Sequence, residues 1–192
     1  MKTIKTIKLL ALLFMSSLAI VSCSNDDDGD HHDDDHDHEN ELITTVVYTL
    51  TNTSDSSVVT LTFRDLDGPG GQDPEPIVVS GPLAANATYT GELKLWNETE
   101  SPAEDISEEI AEMEADEHEV FYVNTAGVTI AKTDVDANNN PLGFDTNVTT
   151  GATGSGSLTV ILIHEPTKPN DGTPNGAGGS TDIEVSYPIE VQ

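Results

Sequence analysis

Leu158-Thr159-Val160-Ile161-Leu162-Ile163 is the run whose pattern decides the fold. In an extended chain Leu158, Val160 and Leu162 point to one side and Thr159, Ile161 and Ile163 to the other. Both sets are largely apolar, which describes a central strand covered on both faces. Outward from it, short alternating runs rich in Val, Thr and Ile are separated by Gly, Pro and Asn clusters, the signature of an all-β sandwich.

The remaining strands are read in the same way. Val46, Tyr48 and Leu50 share one face; Val59, Leu61 and Phe63 face away from Thr60, Thr62 and Arg64; Tyr89, Leu93 and Leu95 alternate with Thr90, Glu92 and Lys94. Val120 to Val123, Val128 to Lys132 and Leu142 to Thr149 are shorter candidates. The last run sets Ile183, Val185, Tyr187, Ile189 and Val191 on one face, and Pro188, which has no N–H to give a ladder, assigns it to a sheet edge. Leu83, six residues before Tyr89 at a strand start, resembles the tyrosine corner of immunoglobulin-like and fibronectin type III domains, where the phenol ties back to upstream backbone. The fold expected is therefore an immunoglobulin or fibronectin III-like β-sandwich.

One helix, over about 102–117, interrupts the strands. Ser101-Pro102-Ala103-Glu104 has the form of a capping box with proline at the first helical position. Ile106, Ile110 and Met113 follow as a narrow apolar stripe. Eleven acids and no Lys or Arg lie between Glu98 and Glu119, so repulsion limits this helix unless cations or the sandwich support it.

Ahead of the sandwich, Lys2, Lys5 and Lys8 precede an apolar run from Leu9 to Val21 and a small residue before Cys23. This reads as a lipoprotein signal over 1–22 with Cys23 as the acylated residue; about thirteen apolar residues are too few for a helical span, which needs roughly 20. The next stretch, 23–41, holds ten acids, four histidines and no apolar residue after the cysteine. It buries too little surface to offset the entropy of ordering and is expected to be a disordered tether. An Asp-rich run behind an acylated cysteine resembles the export signal of surface lipoproteins in Bacteroidota. The tether histidines His31, His32, His36 and His38, interleaved with carboxylates, suit divalent metals; the plainer alternative is a solvated spacer. Residues 42–192 make the single folded domain.

Three of the seven Lys and Arg residues lie in the signal, leaving four bases against 35 acids, a formal charge near −31. That excludes nucleic acid, which needs clustered bases, and leaves cations, basic proteins and neutral ligands as partners. With the one cysteine acylated, the fold has no disulfide and no thiolate metal site.

His118 and His164 are the two histidines of the folded part. With Glu114 four residues before His118, and Glu165 beside His164, they form a candidate site for zinc or another divalent cation if folding joins helix end to strand end. A capping histidine and a rim histidine are the simpler alternatives. Asp134, Asp136, Asn138 and Asn140 alternate as in a calcium loop, but the sixth-position glycine and the twelfth-position glutamate are missing and a polar turn is simpler. Trp96, on the polar face of its strand, either stacks on a sugar, buries at an interface or packs under the acidic helix. Pro166 to Ser180, with three prolines and four glycines, forms a long loop that is either functional or mobile. No nucleophile elbow, phosphate loop or dinucleotide fingerprint is present, so the chain reads as a non-enzyme.

The stretches 41–50, Phe63 to Gly68, Leu83 to Asn97, Pro102 to Ile106, Asp116 to His118, Gly154 to Leu158, His164 to Pro166 and Gly178 to Ile183 resemble a family of flavobacterial lipoproteins. Its members often carry the name "type 1 periplasmic binding fold superfamily protein" and are similar to proteins encoded near TonB-dependent receptors. The resemblance covers nearly the whole mature chain. It implies a lipid-anchored, outer-membrane, surface-exposed accessory to a TonB-dependent transporter that captures a ligand or a divalent metal. An adhesion or carbohydrate-binding module and a structural envelope lipoprotein are the alternatives. The binding fold in that name needs two α/β lobes and roughly twice this length, whereas these residues spell strands.

Overall fold

A computed structural model describes residues 41–192, and the signal, Cys23 and the tether histidines His31, His32, His36 and His38 lie outside them. Ten strands run in the order β1 (Thr45–Asn52), β2 (Val58–Arg64), β3 (Val78–Val79), β4 (Thr88–Asn97), β5 (Glu104–Asp105), β6 (His118–Asn124), β7 (Val128–Lys132), β8 (Asp145–Thr150), β9 (Gly154–His164) and β10 (Ser180–Val191). Helix α1 (Ile106–Met113) lies between β5 and β6, and a single turn, α2 (Pro174–Ala177), between β9 and β10. Among the described residues no helix is long and apolar enough to cross a membrane.

The strands form two antiparallel sheets. The larger has the order β3-β2-β1-β4-β8-β7, with β5 added at the end of β4, and the smaller has the order β10-β9-β6. Setting aside the β2–β3 extension and β5, β1-β4-β8-β7 against β10-β9-β6 is the ABED and GFC arrangement of a constant-type immunoglobulin sandwich. Val46, Tyr48, Leu50, Leu93, Leu95 and Val148 of the large sheet meet Val120, Leu158, Val160, Leu162 and Tyr187 of the small one in a single core. Alternation places them there: each next residue along these strands turns outward.

The central position read for Leu158 to Ile163 is observed. β9 lies between β10 and β6; its second apolar set, Ile161 and Ile163, packs with Phe121 and Ala177 in a small separate cluster on the outer face. Ala177 belongs to the long loop, which therefore lies down on the sheet. Thr167 N–H donates to the Ala177 carbonyl at 2.7 Å, Lys168 Nζ to the Ala115 carbonyl at 2.7 Å, and Asn170 Nδ2 to Glu119 Oε2 at 2.7 Å. The local tie expected of Tyr89 is also present, on β4, which is strand B of this arrangement and not strand F, where the immunoglobulin tyrosine corner sits. Ala84 N–H donates to Tyr89 Oη at 2.7 Å, at the start of β4. β10 carries Pro188 at the edge of the small sheet.

The helix is shorter than its expected 102–117. Glu104 and Asp105 pair with Asn97 and Trp96 as β5, so Ser101 caps nothing; Asp105 is the N-cap, accepting from Glu108 N–H at 3.0 Å. Ile106 and Ile110 reach the core, while Met113, in the last helical position, is 69 % exposed. A Ser-x-x-Glu pattern lies four residues ahead of an Asp-x-x-Glu pattern here, and pairing with β4 selects the second.

Candidate functional site

His118 opens β6 and His164 closes β9. Counting by twos from Val120 and Tyr122, and from Leu162 and Val160, turns both imidazoles toward the sandwich interior. They are direct cross-strand partners, the placement at which side chains touch. Their rings stack with centroids 4.7 Å apart and planes 9° from parallel. Exposure is 1 % for His118 and 6 % for His164, so the pair closes one end of the core.

A third group arrives by a backbone irregularity. The β10–β9 register pairs Thr181 with Ile163 and Ile183 with Leu162, so Asp182 is the extra residue of a β-bulge. Such a bulge re-aims a side chain, and Asp182 Oδ2 comes to 3.6 Å from His118 Nε2 with its side chain fully buried. The approach needs glycine just before it. At Gly179, φ is 73°, and an added Cβ would overlap the carbonyl oxygen of His164.

The protonation of His118 follows from its neighbours. Nδ1 lies 3.2 Å from the Glu114 carbonyl oxygen, which can only accept, so Nδ1 carries the ring proton and the lone pair is on Nε2. That lone pair faces Asp182. His118 Nε2 and both carboxylate oxygens of Asp182 are buried with no hydrogen-bond partner. A buried imidazole lone pair thus faces a buried carboxylate with no donor between them, an arrangement that a proton or a metal cation satisfies. Burial, above all, pushes His118 down to about 4, helped by His164 and Lys168 and opposed by the Glu114 carbonyl and Glu117. Burial and then Glu114 push Asp182 up to about 6, against His164.

Ligand atoms of His118, His164 and Asp182 all lie within 4.8 Å of one another. Around a tetrahedral ion with bonds of about 2.0–2.1 Å, ligands sit about 3.3 Å apart, so closing on an ion needs a contraction of at most about 1.5 Å. A histidine that donates one ring N–H to a backbone carbonyl while offering the other nitrogen has the arrangement typical of metal-bound imidazole. Two nitrogens and a carboxylate suit zinc and its neighbours among the divalent transition metals. A second group, Glu41, Glu114 and His118, shares the same histidine on its solvent side. Burial first, then Glu114, Glu109, Asp182 and Glu104, push Glu41 up to about 7.

The structure therefore joins His118, His164 and Glu114 as the spacing suggested, and replaces Glu165. That residue is exposed; its contribution is backbone, an N–H donated to the Glu117 carbonyl at 2.6 Å. Two members were missed. Alternation from Ile183 puts Asp182 on the outer face, and only the bulge reverses this; the Gly178-Gly179 pair was the available sign. Glu41 was assigned to the tether on composition.

The calcium-like loop is a turn tied to itself. Asp136 accepts from the N–H groups of Asn138 and Asn140, each at 2.8 Å, and from Lys168; Asp134 accepts from Gly143 and Phe144, also at 2.8 Å. Among the described residues no third acid or histidine joins them. Trp96 is partly exposed on the outer face of the large sheet, while Ile106 and Ile110 of α1 pack into the inner core, so it does not lie under the helix. It borders a shallow hollow of about 340 Å³ with Thr45, Val47, Thr62, Arg64 and Glu98. Comparison with known protein families, curated proteins and solved structures returns no match, and the reading of this site rests on its own geometry.

Proposed function

We propose that this chain is a non-catalytic, lipid-anchored protein of the outer-membrane surface that captures a divalent transition cation between His118, His164 and Asp182, as an accessory to a TonB-dependent transporter. One observation carries the cation: the buried Nε2 of His118 faces the buried carboxylate of Asp182 at 3.6 Å, and neither that nitrogen nor either carboxylate oxygen has a hydrogen-bond partner. The strongly acidic chain favours approach of cations. Glu114, about one third exposed beside His118, gives the buried pair a carboxylate at the solvent side. The anchor and the location are supported by Cys23 behind its apolar run and by the family resemblance. Zinc calorimetry tests the binding step on the full chain with His31, His32, His36 and His38 changed to alanine. One zinc should bind, and H118A/H164A should abolish it; unchanged affinity removes the proposal. Co-purification from solubilised outer membrane tests the transporter, and its failure removes that part alone.

A second reading, a carbohydrate-binding module, is favoured by the partly exposed Trp96 in its hollow, where an apolar ring face can meet a sugar. Glycan binding lost in W96A supports it.

A further inference from the structure

We propose that Glu41 is a closing ligand of this cation site, so that a divalent ion held by His118, His164 and Asp182 fastens the segment just ahead of β1 to the sandwich. This rests on the cation reading above. Three observations support it. A carboxylate oxygen of Glu41 lies within 4.8 Å of ligand atoms of both Glu114 and His118. The imidazole of His118 is common to this group and to the buried one, and its Nε2 and the Asp182 oxygens are the unpartnered atoms behind it. Lastly, ladder bonding among the described residues does not hold Glu41 where it is: their backbone pairing starts at Thr44, whose N–H donates to the Trp96 carbonyl at 2.9 Å, and Leu42 between them is 42 % exposed.

Electrostatics then determine what keeps Glu41 in place. The charges acting on it most strongly among the described residues are Glu114, Glu109, Asp182 and Glu104, all negative. Like charges this close repel, and a divalent cation reverses the sign of the interaction. Glu41 has the reach for the role, because a glutamate carries three rotatable side-chain bonds and its backbone is free of the sheet.

The experiment uses the full chain with the four tether histidines changed to alanine, loaded with zinc chloride. Two quantities are read: the rate of zinc release to excess EDTA, and hydrogen exchange at the backbone amides of residues 41–43. Zinc should slow exchange at these amides, and E41Q should abolish that slowing and speed zinc release about tenfold or more. Partial recovery in E41D supports a ligand role. If H118A/H164A loses zinc while E41Q releases it at the parental rate and exchange at 41–43 ignores zinc, the clasp is wrong and the cation site stands. If H118A/H164A, or D182N should the double variant not fold, binds zinc as the parent does, both readings fall.

Discussion

His118 and His164 face each other across the β6–β9 ladder as direct partners, with rings 4.7 Å apart and nearly parallel. Their alignment is a consequence of strand register, so it is set by the same hydrogen bonds that build the small sheet. Rearrangement of the pair requires movement of the sheet.

Asp182→Asn should stabilise the metal-free protein at pH 8 while weakening zinc binding. The folded-state value of Asp182 is raised to about 6 from an ordinary 3.8, so folding retains its proton. Stability associated with that proton is complete below about 4 and is lost as pH rises through 6. Asparagine removes the charge and supplies a donor to Nε2. The gain at pH 8, in EDTA, should be on the order of 1–3 kcal/mol and should vanish at pH 4. Equal thermal shifts at the two pH values would contradict this account.

Glu41→Gln in EDTA should raise the melting temperature at pH 8.5 but not at pH 4. Glu41 is raised to about 7 from 4.5, so its neutral form favours the folded state at low pH and its ionised form opposes it above 7. The group is partly exposed, and screening holds the effect below about 1 kcal/mol. Melting curves at both pH values measure it.

Tyr89→Phe should cost about 1 kcal/mol, because the phenol oxygen accepts from Ala84 N–H and the benzyl ring does not. In a domain of this size that lowers the melting temperature by about 2–4 °C. The core should remain intact by near-ultraviolet circular dichroism. A melting temperature equal to that of the parent would remove the corner as a stabilising element.

Gly179→Ala should destabilise by about 2–3 kcal/mol, through its positive φ and the overlap with the His164 carbonyl. It should also weaken zinc binding, since it displaces the start of β10 and with it Asp182. Gly172→Ala provides the comparison: it too has a positive φ, but its added methyl meets nothing within 4 Å. Equal zinc affinity for both variants would separate Gly179 from the site.

Much of this fold is legible in the alternation of apolar residues. The pairs that face the core, such as Val46 with Leu95 and Tyr48 with Leu93, are those that a period of two assigns. Leu83 and Tyr89 identify their own hydrogen-bonded corner because the interaction is local. The helix start was misplaced because two capping patterns follow one another within eight residues, and the deciding factor, pairing of Glu104 and Asp105 with β4, is non-local. At the site, His164 was readable as a strand end, whereas His118, expected to close the helix, opens β6 instead. Asp182 was not readable, because a single bulged residue inverts the face that periodicity assigns to it. Glu41 was hidden in another way: acidic composition describes a segment and not the one position where it touches the fold.

The settled loop over β9 gives the molecule two unlike broad sides. Phe121, Ile161 and Ile163 are already roofed by Ala177, so the small sheet presents its own chain to the surroundings. The outer face of the large sheet differs: Trp96 is partly exposed there, with Arg64 paired to Glu98 and Lys94 to Asp105. A chain with this build has a front and a back.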